Sequence, residues 1–530
     1  MDLPLTGLLL RTLVHYEPGQ LANYVLRRIY RPSVDDRRAP NRRVKTGRFV
    51  TGIERPISVT APNIFKLLNV EHAVAHASDW NSRTAEKLWL YTLHYHEWLS
   101  ADRSHIDIQR LFISRWLDEN PPCSGIGWEA YPVSIRILHW IKWVTRGEMP
   151  VGGMLDSLAA QTRFLMRTVE KHLGANHLFA NAIALTASGI LFEGQEAEVW
   201  LNAGLKILRR EFPKQFLADG GHFELSPSYH ALLLESILDI ENLTRAYDVQ
   251  CALPWEQSLP RLFEWLAVMS RPDGSFSHFN DCAQDAAPAR AKIEAYAKAI
   301  GINPVRLPSG VVVDLPKSGY TRLRNSGLDV LFDTGPFAPK TQPGHGHCDM
   351  LSFELSLDGN ATIVNSGTST YERSERRHVE RSTGSHNTVQ IPGYEQTEIW
   401  SAFRAGRIAR IVERTLLKDG ITASHDGFRP IGILHKRAIR LDGDQLTIAD
   451  EIRGRSPPRL AVARIHFAPG IVPETQGDEI IANQLSIATR GAIDTNVDDY
   501  LFAPEFNRRI PAKVLEITFR KRLETIVRRL

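Results

Sequence analysis

Cysteine is scarce in this chain. Four residues in 530 (Cys123, Cys251, Cys282 and Cys348) lie far apart with no CxxC pair. That spacing offers neither a zinc knuckle nor a disulfide framework. A large charge excess is also missing: the net charge is +4, so nothing global calls for a nucleic-acid partner. No run is long and apolar enough to read as a transmembrane helix. The opening "MDLPLTGLLLRTLVHYEPGQ" has no positive n-region, long apolar core or small-residue cleavage site. A cytoplasmic location is expected on that ground, with the periplasm as the alternative. Low-complexity sequence is absent too, and 23% charged residues leaves no sign of wholesale disorder.

What is present is length and two textures. A chain of this size calls for two or three domains. From about Asp79 to Gly301 the apolar spacing is helical. "TAEKLWLYTLHYHEWLS" carries Leu88, Tyr91 and Tyr95 on one face behind a threonine cap, and "HLFANAIALTASG" runs to a glycine of the kind that ends helices. "SPSYHALLLESILDIENLTRAY" opens with Ser226 as cap and Pro227 at the first helical position. Serial helices joined by short loops predict hairpins curling into a toroid or bundle. After about Pro308 short alternating runs appear between Gly, Asp and Asn turns, as in an antiparallel β-sandwich. The expected division is an arm with leading helices over 1–78, helices over 79–310 and β-sandwich over 311–530. Dense Arg and Lys in 27–48 and 519–530 make either a solvated surface or a contact for an acidic glycan or a membrane.

Chemistry-bearing residues gather in a few stretches. In "GHGHCDMLSFELSLDG" the alternation of Leu351, Phe353, Leu355 and Leu357, run backwards, puts His345, His347 and Asp349 on the same side. Two histidines so placed can share a site, one holding a metal while the other moves protons. His386 in "GSHNTV" is the available further ligand. Tyr229, in the first turn behind Ser226, sits where free N–H groups and the helix dipole favour a phenolate. Its alternative is to pack against the preceding loop. Asn176 precedes a helix it can cap, or it can offer hydrogen bonds with His177 to an anion. "GWEAYPVSIR" adds Trp128, Glu129, Tyr131 and Arg136 in close succession.

Taken together, "KLWLYTLHYHEWL", "GWEAYPVSIRILHWIKW", "GANHLFANAIAL", "DGGHFELSPSYHALLLESILDI", "PDGSFSHFND" and "GHGHCDMLSFELSLDG…IVNSGTSTY…GSHNTV" resemble the heparinase II/III family of polysaccharide lyases, in that family's order. The resemblance implies an α/α toroid (an incomplete barrel of helical hairpins) followed by an antiparallel β-sandwich. It implies β-elimination on an acidic, uronate-containing polysaccharide, with the site in the groove between the domains. Asn176 matches the asparagine that neutralises the substrate carboxylate, Tyr229 the proton-transferring tyrosine and His345 the histidine opposite it. His177, Trp128, Glu129 and Tyr371 are the expected substrate-binding side chains: Trp128 and Tyr131 would stack on sugar rings while Glu129 and Arg136 bond hydroxyls or a carboxylate, with core packing of the two aromatics as the rival reading. His347 and His386 match positions that hold a structural zinc in relatives. Asn365, in "VNSGT", stands where the pattern has a carboxylate, and a neutral amide is a poorer zinc ligand. Hydrogen-bonded support by the two histidines, or substitution by Asp349, are the alternatives.

Three other functions use the same residues differently. A uronate C5-epimerase would share the site and differ only in product. A glycoside hydrolase needs two carboxylates flanking the bond, for which Asp219, Glu224 and Asp273 are the candidates. A non-catalytic glycan-binding protein of a polysaccharide assembly pathway would leave the chemistry idle.

Overall fold

The structure is a computed structural model that describes residues 3–30, 32–101, 105–305, 307–454 and 460–530. Arg31, within the basic stretch, lies outside the described residues. Two helices lead, α1 (Leu3–Leu13) and α2 (Pro18–Ile29). A small antiparallel sheet follows, of β1 (Val59–Ala61), β2 (Ile64–Leu67) and β3 (Val70–Ala73). It sits within the segment expected to be an arm, and it is no appendage. Phe65 of β2 is buried edge-on against Phe112 and Trp98 of the helical core.

The basic stretch is likewise tied down. Arg37 pairs with Asp35, Arg43 donates to the carbonyls of Ile190 and Phe192, and Lys45 donates to the carbonyl of Thr145. Much of its charge thus staples the chain to the helical domain.

That domain is built from α3 (Lys87–Tyr95), α4 (Ile106–Glu119), α5 (Ala130–Thr145), α6 (Met154–Thr168) and α7 (Ala175–Leu191). It continues through α8 (Gln195–Gln215), α9 (Pro227–Tyr247), α10 (Leu259–Val268) and α11 (Arg290–Ala299). Helix α7 is buried almost all round because α5, α8 and α9 pack on it, as expected of a central helix with no polar face. Gly189, expected to end α7, lies inside it. A Cβ there would stand 2.5 Å from the Cβ of Leu201 on α8, so the glycine permits close helix contact rather than a stop. Helix α3 is capped at Glu86, two residues beyond the expected threonine.

The last helix ends at Ala299 and the sandwich begins at Val312. One sheet has five strands in sequence order: β4 (Val312–Leu315), β5 (Tyr320–Asn325), β6 (Leu328–Asp333), β7 (Phe353–Leu357) and β8 (Asn360–Ile363). Helix α12 (Glu375–Arg381), β9 (Val389–Gln390) and a two-stranded ribbon of β10 (Ile399–Ser401) and β11 (Arg404–Ala405) follow. Next come β12 (Ile411–Leu416), β13 (Gly420–His425), β14 (Ile433–Asp442), β15 (Gln445–Gly454) and β16 (Ala461–His466). The chain closes with β17 (Glu474–Gln476), β18 (Glu479–Ala482), β19 (Leu485–Glu505) and β20 (Arg508–Arg529). The ten-stranded second sheet runs β12-β13-β14-β15-β20-β19-β18-β17, with β16 joining β20 to β9. Leu323, Val330, Phe332, Phe353 and Leu355 from one sheet meet Ile421, Ile439, Ile448, Leu515 and Ile517 from the other. Interleaved apolar faces of this kind define a sandwich.

Strand β7 departs from simple alternation with a wet face. Both of its faces are buried, because the helical domain covers the side that carries Glu354. That carboxylate accepts two bonds from Arg271, at 3.0 and 2.9 Å, and one from the backbone N–H of His278 at 3.0 Å. The strand also begins only at Phe353. His345 closes a short 3₁₀ turn and His347 lies in the loop after it, so neither is in a strand.

Candidate active site

Two helix starts and one loop bring the expected residues to the domain seam. Ser226 caps α9, its hydroxyl accepting the N–H of Tyr229 at 3.4 Å while donating to the carbonyl of Asp281 at 2.6 Å. Tyr229 is thereby fixed beside the segment 278–281. The imidazole of His345 stacks obliquely on Tyr229 with ring centroids 4.4 Å apart. Tyr371, from the loop after β8, places its hydroxyl 3.1 Å from that of Tyr229. Phe403, between β10 and β11, and Phe506 pack edge-on against Tyr371, and Phe403 also touches His345. One tyrosine–histidine pair is therefore assembled from both domains.

Asp281 orders this group, and sequence reasoning did not single it out. His345 Nδ1 donates to Oδ2 and His347 Nε2 to Oδ1, both at 2.8 Å, while Arg377 makes a two-pronged bond to the same carboxylate. Burial pushes the Asp281 carboxyl up, but Arg377, His345 and His347 together hold it well below the ordinary carboxylate range. The histidine alternation that the sequence suggested thus has its physical end in one shared carboxylate. "HFND" was among the quoted motifs, yet nothing in it distinguishes Asp281 from a turn residue. Binding of Nδ1 leaves Nε2 of His345 for chemistry.

The phenols do not behave as the helix-start argument predicts. Burial, then the neighbouring Tyr371 and the charge of Asp281, raise the Tyr229 hydroxyl well above the usual phenol range. Burial followed by Asp281 does the same to Tyr371, partly offset by Arg377. Desolvation outweighs the helix terminus, so both are protonated donors at neutral pH.

Across the cleft, Gly174 rather than Asn176 caps α7. Asn176 is buried and donates to Glu224 Oε2 at 3.0 Å, while its own Oδ1 is buried without a partner. Burial raises the Glu224 carboxyl, an effect that the charge of His345, the Asn176 amide and His177 only partly offset. Those influences put Glu224, Asn176, His177 and His345 in one electrostatic neighbourhood. His177 is partly exposed, held by Glu170 at 3.3 Å and stacked on Tyr131 at 4.3 Å.

Other expected residues lie elsewhere. Trp128 is a core residue, only 4% exposed, stacked on Trp116 and edge-on to Phe164, with its indole N–H on the carbonyl of Asn120. It cannot stack on a sugar. Arg136 is fully buried, bonded to Gln161 and to the carbonyls of His94 and Gly127. Glu129 remains partly exposed but already accepts from Lys87 and Tyr91. The hydrolase carboxylates do not face one another. Asp219 holds the backbone of Lys317 and Ser318, Asp273 closes an exposed turn, and Glu224 bonds Asn176.

The zinc expectation turns on His347, His386 and Asn365. The rings of the two histidines lie 5.3 Å apart, and His347 Nδ1 and His386 Nε2 are buried without partners. The third donor falls short: the Oδ1 of Asn365 already accepts the Ser352 hydroxyl at 2.7 Å and lies 3.3 Å from His386 Nδ1. Among the described residues no group of three or more His, Cys, Asp or Glu is arranged to hold a metal ion. Asp349 does not substitute, since its carboxylate accepts the backbone N–H of Asn280. Two imidazoles and an occupied amide do not fit a four-coordinate zinc site. Burial keeps both imidazoles neutral, with His347 pushed down to about 4.

A helical toroid abutting an antiparallel sandwich, with a tyrosine–histidine pair at the seam, defines a class of two-domain polysaccharide-lyase folds. Residues 82–304 match the model described as heparinase II/III N-terminus, and 308–529 match heparinase II/III-like, C-terminal; the chain belongs to the heparinase II/III family. The crystal structure of heparinase III superposes with a TM-score of 0.69 over 97% of this chain and 85% of that one, at 18% identity. A heparin-sulfate lyase from Bacteroides stercoris is 29% identical over 42% of this chain and 37% of its own length. FtsZ-localized protein C from Caulobacter vibrioides is 25% identical over 57% of this chain and 52% of its own. These alignments thus span between about a third and a half of the curated relatives.

Proposed function

We propose that the protein is a lyase that cuts uronic-acid-containing polysaccharide by β-elimination. The observation that carries this reading is the pairing of a protonated Tyr229 with a His345 whose Nδ1 is committed to Asp281. Elimination needs a base at C5, an acid at O4 and neutralisation of the C5 carboxylate as charge develops. His345 Nε2 takes the C5 proton. The C5–H electrons become the C4–C5 double bond, and the bond from C4 to the glycosidic oxygen breaks. Tyr229 gives its proton to that oxygen, with Tyr371 hydrogen-bonded to the phenolate left behind. Asn176 donates to the substrate carboxylate through the amide N–H that it does not give to Glu224. No step requires a metal at His347 and His386, which support the loop that carries His345.

A second reading rests on the alignment with FtsZ-localized protein C, which spans more of this chain than that with the Bacteroides lyase. That relative is named for a location and not for a reaction. On this reading the cleft binds glycan without cutting it.

The test is ultraviolet absorbance on a panel of heparan, hyaluronan, alginate, glucuronan and acidic bacterial exopolysaccharides. A rise with one polymer that disappears in Tyr229→Phe supports the lyase. Deuterium uptake at C5 without cleavage identifies an epimerase on the same site. Binding with neither cleavage nor uptake leaves the second reading standing.

A further inference from the structure

The two N-terminal helices are turned inside out relative to an ordinary surface helix. Globular proteins bury the apolar stripe and expose the polar one. Here polar side chains make most of the inward contacts, with Leu8 packed beside Gly406. From α1 and the turn after it, Arg11 bonds Glu398 at 2.9 and 2.7 Å, Thr12 accepts the Trp400 indole N–H, His15 bonds the carbonyl of Gly406 and Tyr16 accepts from Arg404. From α2, Arg27 reaches His172 at 3.1 Å and lies 3.9 Å from Glu170.

What remains outside is hydrocarbon. Leu10, Val14, Val25, Leu26 and Ile29 are between 56% and 78% exposed, and Tyr30 is 54% exposed. So many large apolar side chains on under thirty residues form a patch that water disfavours.

We propose that this helix pair is a docking element for an anionic lipid surface. Neither helix carries an aspartate or glutamate. The first 48 residues hold ten Arg or Lys against four Asp or Glu, with Arg11, Arg27, Arg37, Arg43 and Lys45 already bonded within the protein. Arg38, Arg42 and Arg48 are exposed and make no ion pair among the described residues. Apolar side chains, tyrosines that tolerate a polar boundary, and adjacent arginines are the composition of a helix lying in a bilayer interface. Among the described residues no helix is long and apolar enough to cross a membrane, so the contact is peripheral.

The placement ties this contact to the cleft. Helix α1 rests on the ribbon whose Phe403 touches His345 and Tyr371. Helix α2 rests on the loop whose Glu170 holds His177. The docking element therefore straps one wall of the site to the other.

The experiment is flotation of the full chain with phosphatidylcholine vesicles, with and without about a third phosphatidylglycerol. The bound fraction should rise at least tenfold with the anionic lipid and fall in 0.5 M salt. Leu10→Ser with Val25→Ser and Ile29→Ser should abolish it while the thermal melt stays unchanged. The milder Val14→Ser with Ile29→Ser should reduce it several-fold. A wild-type chain that ignores anionic vesicles, or a triple variant that binds as well as wild type, overturns the proposal. So does light scattering showing a dimer that the triple variant splits without any vesicle binding, which would assign the face to a second copy.

Discussion

Tyr229 of α9 and Tyr371 of the β-domain meet hydroxyl to hydroxyl at 3.1 Å, although 142 positions separate them in the chain. The contact exists only because the helical domain and the sandwich are docked, so the site depends on the seam as much as on its own residues.

On the proposed lyase mechanism, Tyr229→Phe removes the proton donor but keeps the ring that lies on His345. Turnover should fall by about 10²–10⁴, the usual worth of a positioned acid, with little change in thermal stability. Steady-state rates on the responsive polymer, beside a melting curve, check this.

Asp281→Asn should be costly in both stability and rate. It leaves Arg377 buried without its counter-charge, which costs about 3–5 kcal/mol. Because Asp281 titrates below the ordinary carboxylate range when folded, its contribution is present above the unfolded value and lost only in strong acid. Urea unfolding of the variant at pH 7 measures the first effect. A drop in kcat larger than any rise in KM marks loss of the His345 tautomer.

Asp285 makes the opposite prediction. Lost hydration around its carboxyl raises it to about 7, although the residue is solvent-exposed and accepts the N–H of Phe506. Its folded value lies above its unfolded one, so it favours the fold fully below about pH 4. Solvent screening at this exposed residue keeps that contribution small, and it is lost as pH rises to about 7. Asp285→Asn should therefore gain stability relative to wild type between pH 5 and 8. Paired urea titrations at the two pH values would refute this if the difference between the proteins stayed constant.

Trp128 and Tyr131 should separate cleanly. Trp128→Ala opens the helical core and should cost about 3–5 kcal/mol. Tyr131→Ala removes the ring under His177 and should act mainly on KM. Equal stability losses in both, with unchanged kinetics, would place Tyr131 in the core as well.

Much of the architecture was legible because it depends on local chemistry. The apolar period switches from helical to alternating near residue 308, and Ser226 with Pro227 starts α9 where capping rules place it. Asn176, His177, Tyr229, His345 and Tyr371 were also legible as candidates, since each sits in a motif with a fixed local setting. Trp128 was not: a tryptophan beside Glu129 and Tyr131 reads the same whether it faces a groove or Trp116. Gly189 misled for a similar reason, because a glycine that ends a helix and one that admits a neighbouring helix differ only in what lies opposite.

The sequence by itself determined most of the helices and strands and which segments hold the candidate side chains, because periodicity, caps and side-chain type are properties of neighbours along the chain. Tertiary structure alone decided that Asp281 binds His345, His347 and Arg377 together, that Glu224 faces Asn176, and that Tyr229 is a protonated donor instead of a ready phenolate. Desolvation and charge pairing depend on distances between segments that packing brings together, and no spacing in the sequence encodes them.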